Sequence, residues 1–297
     1  MSQREKESGH RPLTAWSLLD ADIKATKPPQ WGKIFPSRFM AILQFTMLGS
    51  GTSMGVPTLG CHCPVCESKD LLDKRTRPSV LLAYGGRNVV IDTTPDFRYQ
   101  AMRARMERLD AVLYTHGHAD HVLGLDDIRP FNLKQKGVIP LYASEDTLGI
   151  LRRQFSYIFD DAPTDSLVPG VELHPIHGPF ELFGTEIVPV PALHGPQPVL
   201  GFRFGKAAYL TDFIRVPETS KDLLRGLDDL ILDALRYVPH PMHSNVQQSL
   251  ALAAELKPKR TWFTHICHDL GHAETNARLP ANVRLAYDGL QFEVETE

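Results

Sequence analysis

Cysteine is scarce, with four in 297 residues. That is too few for a disulfide scaffold, and three of the four fall within six positions. An excess of one charge is also missing. Lys and Arg number 32 against 35 Asp and Glu, a net of −3, which argues against a nucleic-acid binder working through a broad basic surface. No run approaches the roughly 18 apolar residues of a membrane-spanning helix. The first ten residues mix acid and base and lead into no apolar h-region, so a secretory signal is not expected. Internal repeats and low-complexity tracts are absent as well. These absences point to a cytoplasmic chain, where a tight cysteine cluster binds metal rather than pairing. Histidine, by contrast, is plentiful: 13 residues, several in tight groups.

At roughly 100–200 residues per domain, the length fits one large domain or two small ones. Residues 1–39 are charged and carry Pro28, Pro29 and Pro36, with weak periodicity apart from a helical stretch over 15–23. They read as a loosely held extension or an over-long translation start, and the folded domain is expected over 40–297. Strands are predicted at 41–48, 79–83, 88–91, 111–114, 140–142, 185–190, 200–204, 207–210, 229–232 and 260–263. Helices are predicted at 95–106, 144–155, 220–227 and 246–256. The second half repeats the style of the first, which fits two packed sheets with helices outside, an αββα layering. A doubly wound parallel sheet is the alternative, but residues 49–55 miss the G-x-G-x-x-G spacing and run into Val56-Pro57.

The strongest chemical signal directly follows the strand at 111–114: Thr115-His116-Gly117-His118-Ala119-Asp120-His121. Histidines two apart in an extended turn can share one metal, while Asp120 and His121, opening a helix, can serve a second. Imidazole with carboxylate suits zinc, iron, manganese or nickel. Further potential ligands follow later apolar runs: His194, Asp212 and His265. Two divalent cations, two carboxylates and one hydroxide leave a net charge of about +1, suited to an anionic phosphodiester. A neutral ester, thioester or lactone passes the same test. A second constellation, Cys61-His62-Cys63-Pro64-Val65-Cys66, offers three soft ligands on one loop, with zinc the natural occupant. His268 is the expected fourth ligand, with His62 and Cys267 as competitors.

These motifs resemble the metallo-β-lactamase superfamily from about residue 40 to the end. Its H-x-H-x-D-H motif stands here as His116, His118, Asp120 and His121. The resemblance implies the αββα fold, with His116, His118 and His194 on one metal. It implies Asp120, His121 and His265 on the other, and a bridging Asp212. Asp92 matches the structural aspartate that orients the histidine loop. Asp212 stands where the antibiotic-hydrolysing branch often has cysteine, which argues against a β-lactamase. The cysteine spacing and Thr264-His265-Ile266-Cys267-His268 are similar to the branch that hydrolyses phosphoribosyl 1,2-cyclic phosphate. That likeness implies structural zinc on Cys61, Cys63, Cys66 and His268, and a general acid at His243, with His240 as its rival. Thr93-Thr94-Pro95-Asp96 and residues 126–132 depart from that branch and leave the substrate open.

The expected protein is a dinuclear-metal phosphodiesterase, with Mn, Zn, Ni or Fe in the pair and one structural Zn. A hydroxide generated at the pair and held by Asp212 attacks phosphorus in a small cyclic phosphate, and His243 protonates the departing oxygen. No membrane and no nucleic acid is expected as partner, and a homodimer is compatible with the sequence. The rivals are a tRNA 3′-processing-type nuclease, a thioesterase or glyoxalase-like hydrolase, and a non-hydrolytic accessory of quinone-cofactor biosynthesis. Arg129 is a candidate phosphate ligand or a salt bridge to Asp126 and Asp127. His10, His174, His177 and His272 are expected to be exposed and inert. The loop 49–55 is expected to let backbone approach the metal pocket.

Overall fold

The computed structural model describes residues 41–159 and 167–296. The expected extension over 1–39, its helical stretch and His10 lie outside the described residues. Among the described residues, fourteen strands build two sheets. The first contains β1 (Ala41–Gly49), β2 (Ser79–Tyr84), β3 (Arg87–Ile91), β4 (Ala111–Leu113), β5 (Ile139–Ala143) and β6 (Val171–Pro175). The second contains β7 (Phe180–Leu182), β8 (Thr185–His194), β9 (Gln197–Phe204), β10 (Ala207–Leu210), β11 (Asp229–Asp233), β12 (Arg260–Thr264) and β13 (Val283–Leu285). β14 (Gln291–Thr296) returns to the first sheet beside β1, and the orders are β14-β1-β2-β3-β4-β5-β6 and β13-β12-β11-β10-β9-β8-β7.

Each sheet is mixed in the same way. β1, β2 and β3 pair antiparallel, then β3 to β6 run parallel. β7 to β10 pair antiparallel, then β10 to β13 run parallel. The helices are α1 (Phe97–Arg103), α2 (Ala119–Val122), α3 (Arg129–Gln135), α4 (Glu145–Gln154), α5 (Ser156–Phe159), α6 (Glu218–Asp222), α7 (Val246–Leu256) and α8 (His272–Arg278). The helix expected over 220–227 is shorter and earlier, because Gly226 turns the chain at positive φ while Leu224 and Leu227 stay buried. Among the described residues no helix is long and apolar enough to cross a membrane.

Side-chain alternation explains the layers. On β1, Leu43, Phe45 and Met47 enter a core between the sheets, together with Val89 and Ile91 of β3 and Ala111 and Leu113 of β4. The intervening Val90 and Val112 face outward onto Phe97 and Ala101 of α1 and Leu148 and Leu151 of α4. In the other sheet Tyr209 and Ile231 face inward, whereas Leu210, Leu230 and Leu232 pack under Leu252 and Leu256 of α7. Strands covered on both faces must be apolar at every position. The result is the expected αββα layering rather than one doubly wound sheet. Its consequence for function is positional: Asp92, Thr115, His194, Asp212, Asp233 and His265 all stand at, or within two residues past, the ends of strands.

Candidate active site

Three of these strand ends bend sharply. Asp92, Asp212 and His265 hold φ of 63°, 53° and 56°, a left-handed conformation costing a non-glycine residue about 1–3 kcal/mol. Each turns its side chain back across the strand ends. The cost falls on residues that meet at one place.

There the nitrogens of His116, His118 and His194 lie within 4.8 Å of one another, and so do ligand atoms of Asp120, His121, Asp212 and His265. Asp212 reaches both groups. Its Oδ1 is 3.3 Å from His121 Nε2, while Oδ2 is 3.3 Å from His265 Nε2 and 4.0 Å from His116 Nε2. All seven residues singled out in the sequence are therefore brought together. Asp92 acts from below: Oδ1 accepts the Thr115 N–H at 2.9 Å, while Oδ2 accepts the Thr115 hydroxyl at 2.8 Å and His121 Nδ1 at 2.7 Å. His194 Nδ1 is bound to the Met242 carbonyl at 2.9 Å. Such contacts fix each tautomer and aim the remaining nitrogen into the site.

The electrostatics are those of a site built for cations. Nε2 of His116, His121 and His265 is buried without a hydrogen-bond partner, an arrangement that is costly unless another group satisfies it. Burial would raise Asp212, but His265, His121 and His116 hold it well below the usual carboxylate range. Burial pushes His116 well down and His194 to about 4, keeping these two imidazoles neutral, whereas at His121 burial is outweighed by Asp212, Asp120 and Asp92, which hold it well above its ordinary value. Orphaned nitrogens around two carboxylates fit a pair of divalent ions.

His243 adjoins both groups, stacked on His265 at 4.6 Å between centroids and edge-on to His194 at 4.5 Å. Its Nδ1 meets Asp233 Oδ2 at 2.9 Å, which leaves Nε2 free. Burial opposes charge on both partners, lowering His243 and raising Asp233. Sequence reasoning missed Asp233. The one available signal was its place at the end of an apolar strand, as Asp212 follows the neighbouring one, and that place alone does not tell a site carboxylate from a solvent-facing one. His240 differs: its Nδ1 accepts the Met242 N–H at 3.2 Å.

The cysteine loop closes onto His268. Its Nδ1 lies 3.1, 3.4 and 3.5 Å from the sulfurs of Cys61, Cys63 and Cys66. Tetrahedral Cys3His zinc would set S···N near ~3.5 Å. His62 is exposed on Glu67 at 3.0 Å, and Cys267 Sγ accepts the Asp269 N–H, so neither competitor joins the group. The Cys66 N–H pulls the Cys63 thiol down to about 7, while burial pushes Cys66 up to about 11. Three sulfurs this close favour a cation between them.

Two expectations need correction. His272 is buried rather than exposed, edge-on to Tyr287, because it opens α8 beneath the cysteine loop. His174 stacks on Tyr142 at 4.8 Å because it lies on β6, whereas His177 is exposed in a loop. The glycines at 49 and 51 chiefly admit the segment 75–77: a Cβ at Gly49 would stand 1.9 Å from the Arg77 carbonyl. Between them Ser50 O accepts the N–H of Ile266, next to His265. Arg129 bonds the carbonyls of Asp126 and Leu167 and pairs with Asp126 at 2.5 Å, the salt-bridge alternative.

Residues 87–266 match a family described as the beta-lactamase superfamily domain. A crystal structure described as a new diphosphatase from the PhnP family is 53% identical, with a TM-score of 0.81 covering 86% of this chain and 98% of that one. An octanoyltransferase of Porphyromonas gingivalis is 37% identical over 250 residues, 82% of this chain and 50% of that protein. The chain thus spans half the length of that relative. Coenzyme PQQ synthesis protein B of Methylobacterium nodulans is 27% identical over 220 residues, 64% of this chain and 72% of that protein.

Proposed function

We propose, for a chain that belongs to the metallo-β-lactamase superfamily, that this site hydrolyses a small phosphodiester, with a cyclic phosphate as the preferred substrate. The protein is a metal-dependent hydrolase. The observation that carries the finer reading is the convergence of seven nitrogen and carboxylate ligands beside a histidine held by its own carboxylate. His116, His118 and His194 would hold one divalent ion and Asp120, His121 and His265 a second, with Asp212 within reach of both groups. Mn, Zn, Ni and Fe all suit such ligands. When bound, the ions activate water and neutralise charge gathering on the phosphoryl oxygens. Zinc on Cys61, Cys63, Cys66 and His268 is structural.

The protein's own groups do the rest. Asp92 and Thr115 keep the histidine loop in register, and Asp212 fixes the spacing of the two ligand groups. As the water oxygen bonds to phosphorus, the bond to the leaving oxygen breaks. That oxygen takes a proton from Nε2 of His243 while Nδ1 takes the one shared with Asp233, and the proton given up by the attacking water restores the pair. His240 lacks such a carboxylate, so His243 is the better acid. The diphosphatase likeness supports phosphoryl chemistry, and cavities of about 400 and 280 Å3 beside the ligands suit a small molecule.

The test is turnover by protein whose metal content is measured per chain. Metal-loaded protein should cleave bis(p-nitrophenyl) phosphate, lose that activity on chelation and regain it with metal, and prefer cyclic over linear alkyl diesters. Full occupancy with no turnover of any diester would favour the non-hydrolytic accessory reading, which the likeness to the quinone-pathway protein supports.

A further inference from the structure

The ligand imidazoles His116, His121 and His194 each have a partner on Nδ1: the Thr115 hydroxyl at 3.0 Å, Asp92 Oδ2 at 2.7 Å and the Met242 carbonyl at 2.9 Å. His265 does not. Its Nδ1 is buried without a hydrogen-bond partner among the described residues, and so is Oδ1 of Asp233, which faces it at 3.9 Å. We propose that Asp233 is a positioning residue for two rings at once: Oδ2 orients His243, and Oδ1 accepts the Nδ1 proton of His265 when that ring takes up its metal ion. One carboxylate then holds both the general acid and a ligand of the neighbouring ion.

The inference rests on the ligand and acid roles proposed for His265 and His243. A neutral imidazole carries one ring proton. In this structure His265 Nε2 faces Asp212 Oδ2 at 3.3 Å, so either nitrogen has a carboxylate to give that proton to. An ion bound at Nε2 requires its lone pair, which leaves the proton on Nδ1, pointed at Asp233. A separation of 3.9 Å is too long for a hydrogen bond and too short for a bridging water, which needs ~4.5–5 Å. Both atoms are sealed from solvent, and two orphaned polar atoms cost more than a bond made between them. The backbone on either side is fixed. Asp233 and Thr264 are paired in register, the Ala234 N–H bonds the Thr264 carbonyl at 3.0 Å, and the Cys267 N–H bonds the Leu235 carbonyl at 3.0 Å. Rotation of the two side chains is therefore enough to close the gap. The opposite wall shows the finished form of such a contact. There Asp92, from the other sheet, already holds His121, grouped with His265, at 2.7 Å. Asp233 differs in that its second oxygen is engaged as well, by His243 Nδ1 at 2.9 Å and the Phe213 N–H at 3.3 Å. Asparagine has one acceptor oxygen, and so serves one ring but not both.

Neither readout that tests this is turnover. Zinc-loaded protein carrying isotope-labelled histidine would be compared by NMR with protein stripped of the pair. Loading the wild type should bring a new downfield ring N–H resonance from His265 Nδ1. That resonance should persist in His243→Ala and vanish in Asp233→Asn. Competition with a chromogenic chelator gives the affinities of the two ions. Asp233→Asn should weaken one of them about 10- to 100-fold and leave the other unchanged, while His243→Ala should change neither. A wild type that gains no such resonance on loading would overturn the proposal without any variant. Unchanged affinities in Asp233→Asn would do the same, and an equal loss in His243→Ala would put the acid ring, not the carboxylate, behind His265. Failure of the loaded wild type to cleave any diester would instead overturn the hydrolase reading and the acid role of His243 with it, a result separate from the resonance.

Discussion

His243 and Asp233 show how one buried carboxylate changes what a histidine can do. The bond from Asp233 fixes the ring, and stacking on His265 holds its plane. The ring's free nitrogen then has one orientation and one proton to deliver. General-acid help of this kind is typically worth about 10²–10⁴-fold, and the need falls as the leaving group becomes less basic. His243→Ala should therefore keep full metal content, lose roughly that factor on a cyclic ribose phosphate, and lose far less on a p-nitrophenyl diester. Asp233→Asn, a change in a positioning residue, should steepen the dependence on leaving-group basicity in the same direction. Equal losses on both substrates, with metal retained, would make His243 a phosphate ligand or a structural residue. At this scale the ligands were legible because three histidines and an aspartate within six positions resist any structural reading. Asp233 was not, because a single carboxylate closing an apolar strand looks the same whether it faces solvent or a histidine. Only the parallel register of β11 between β10 and β12 brings it to the cluster.

Elements divide along a different line. All ten strands predicted from the sequence are interior strands of the two sheets. The four that went unread, β6, β7, β13 and β14, are the four sheet edges. Interior strands carry a covering layer on both faces and appear as unbroken apolar runs, whereas edges are short or half-polar. β14 alternates exposed and buried through Gln291-Phe292-Glu293-Val294-Glu295-Thr296. β8 runs past its predicted end at 190 to His194, through Pro191 as well as Pro189. The structure accommodates both because β7 pairs with β8 only through Ile187, so later residues need no donor on that side. Helix ends were read best where side chains cap them. α7 starts at Val246 as predicted, since Asn245 Oδ1 accepts the Gln248 N–H at 2.9 Å and Gln248 Oε1 accepts the Asn245 N–H at 2.9 Å. Asn245→Ala should cost about 0.5–2 kcal/mol in urea unfolding, with metal content unchanged. An unaltered midpoint would mean that packing of α7 on the sheet fixes its start without the cap.

Across the whole molecule, the two halves are tied together beside the catalytic ligands as well as at the far end, where the Lys206 N–H bonds the Glu295 carbonyl at 3.2 Å. Asp288, after β13, accepts hydrogen bonds from Ser50 and Thr76 on the other sheet's loops and pairs with Arg103 of α1. Buried Arg75 reaches from the segment after the cysteine loop to the carbonyls of Cys267 and Leu270. The cysteine cluster is the third tie, joining positions 207 residues apart. A metal there closes a loop spanning most of the described chain, so its binding energy adds to folding. Because the same segment carries His265 three residues before His268, the tie also steadies a catalytic ligand. Elemental analysis should then find three metals per chain in the wild type, one of them zinc that resists mild chelation. Cys63→Ser should retain two, unfold at lower denaturant, and keep the pair that His116, His118 and Asp120 help to hold. Cys267→Ser, altering a thiol outside the group, should still bind three. Two metals in both wild type and Cys63→Ser would remove zinc from the cysteine loop, leaving Arg75 and Asp288 among the ties beside the ligands.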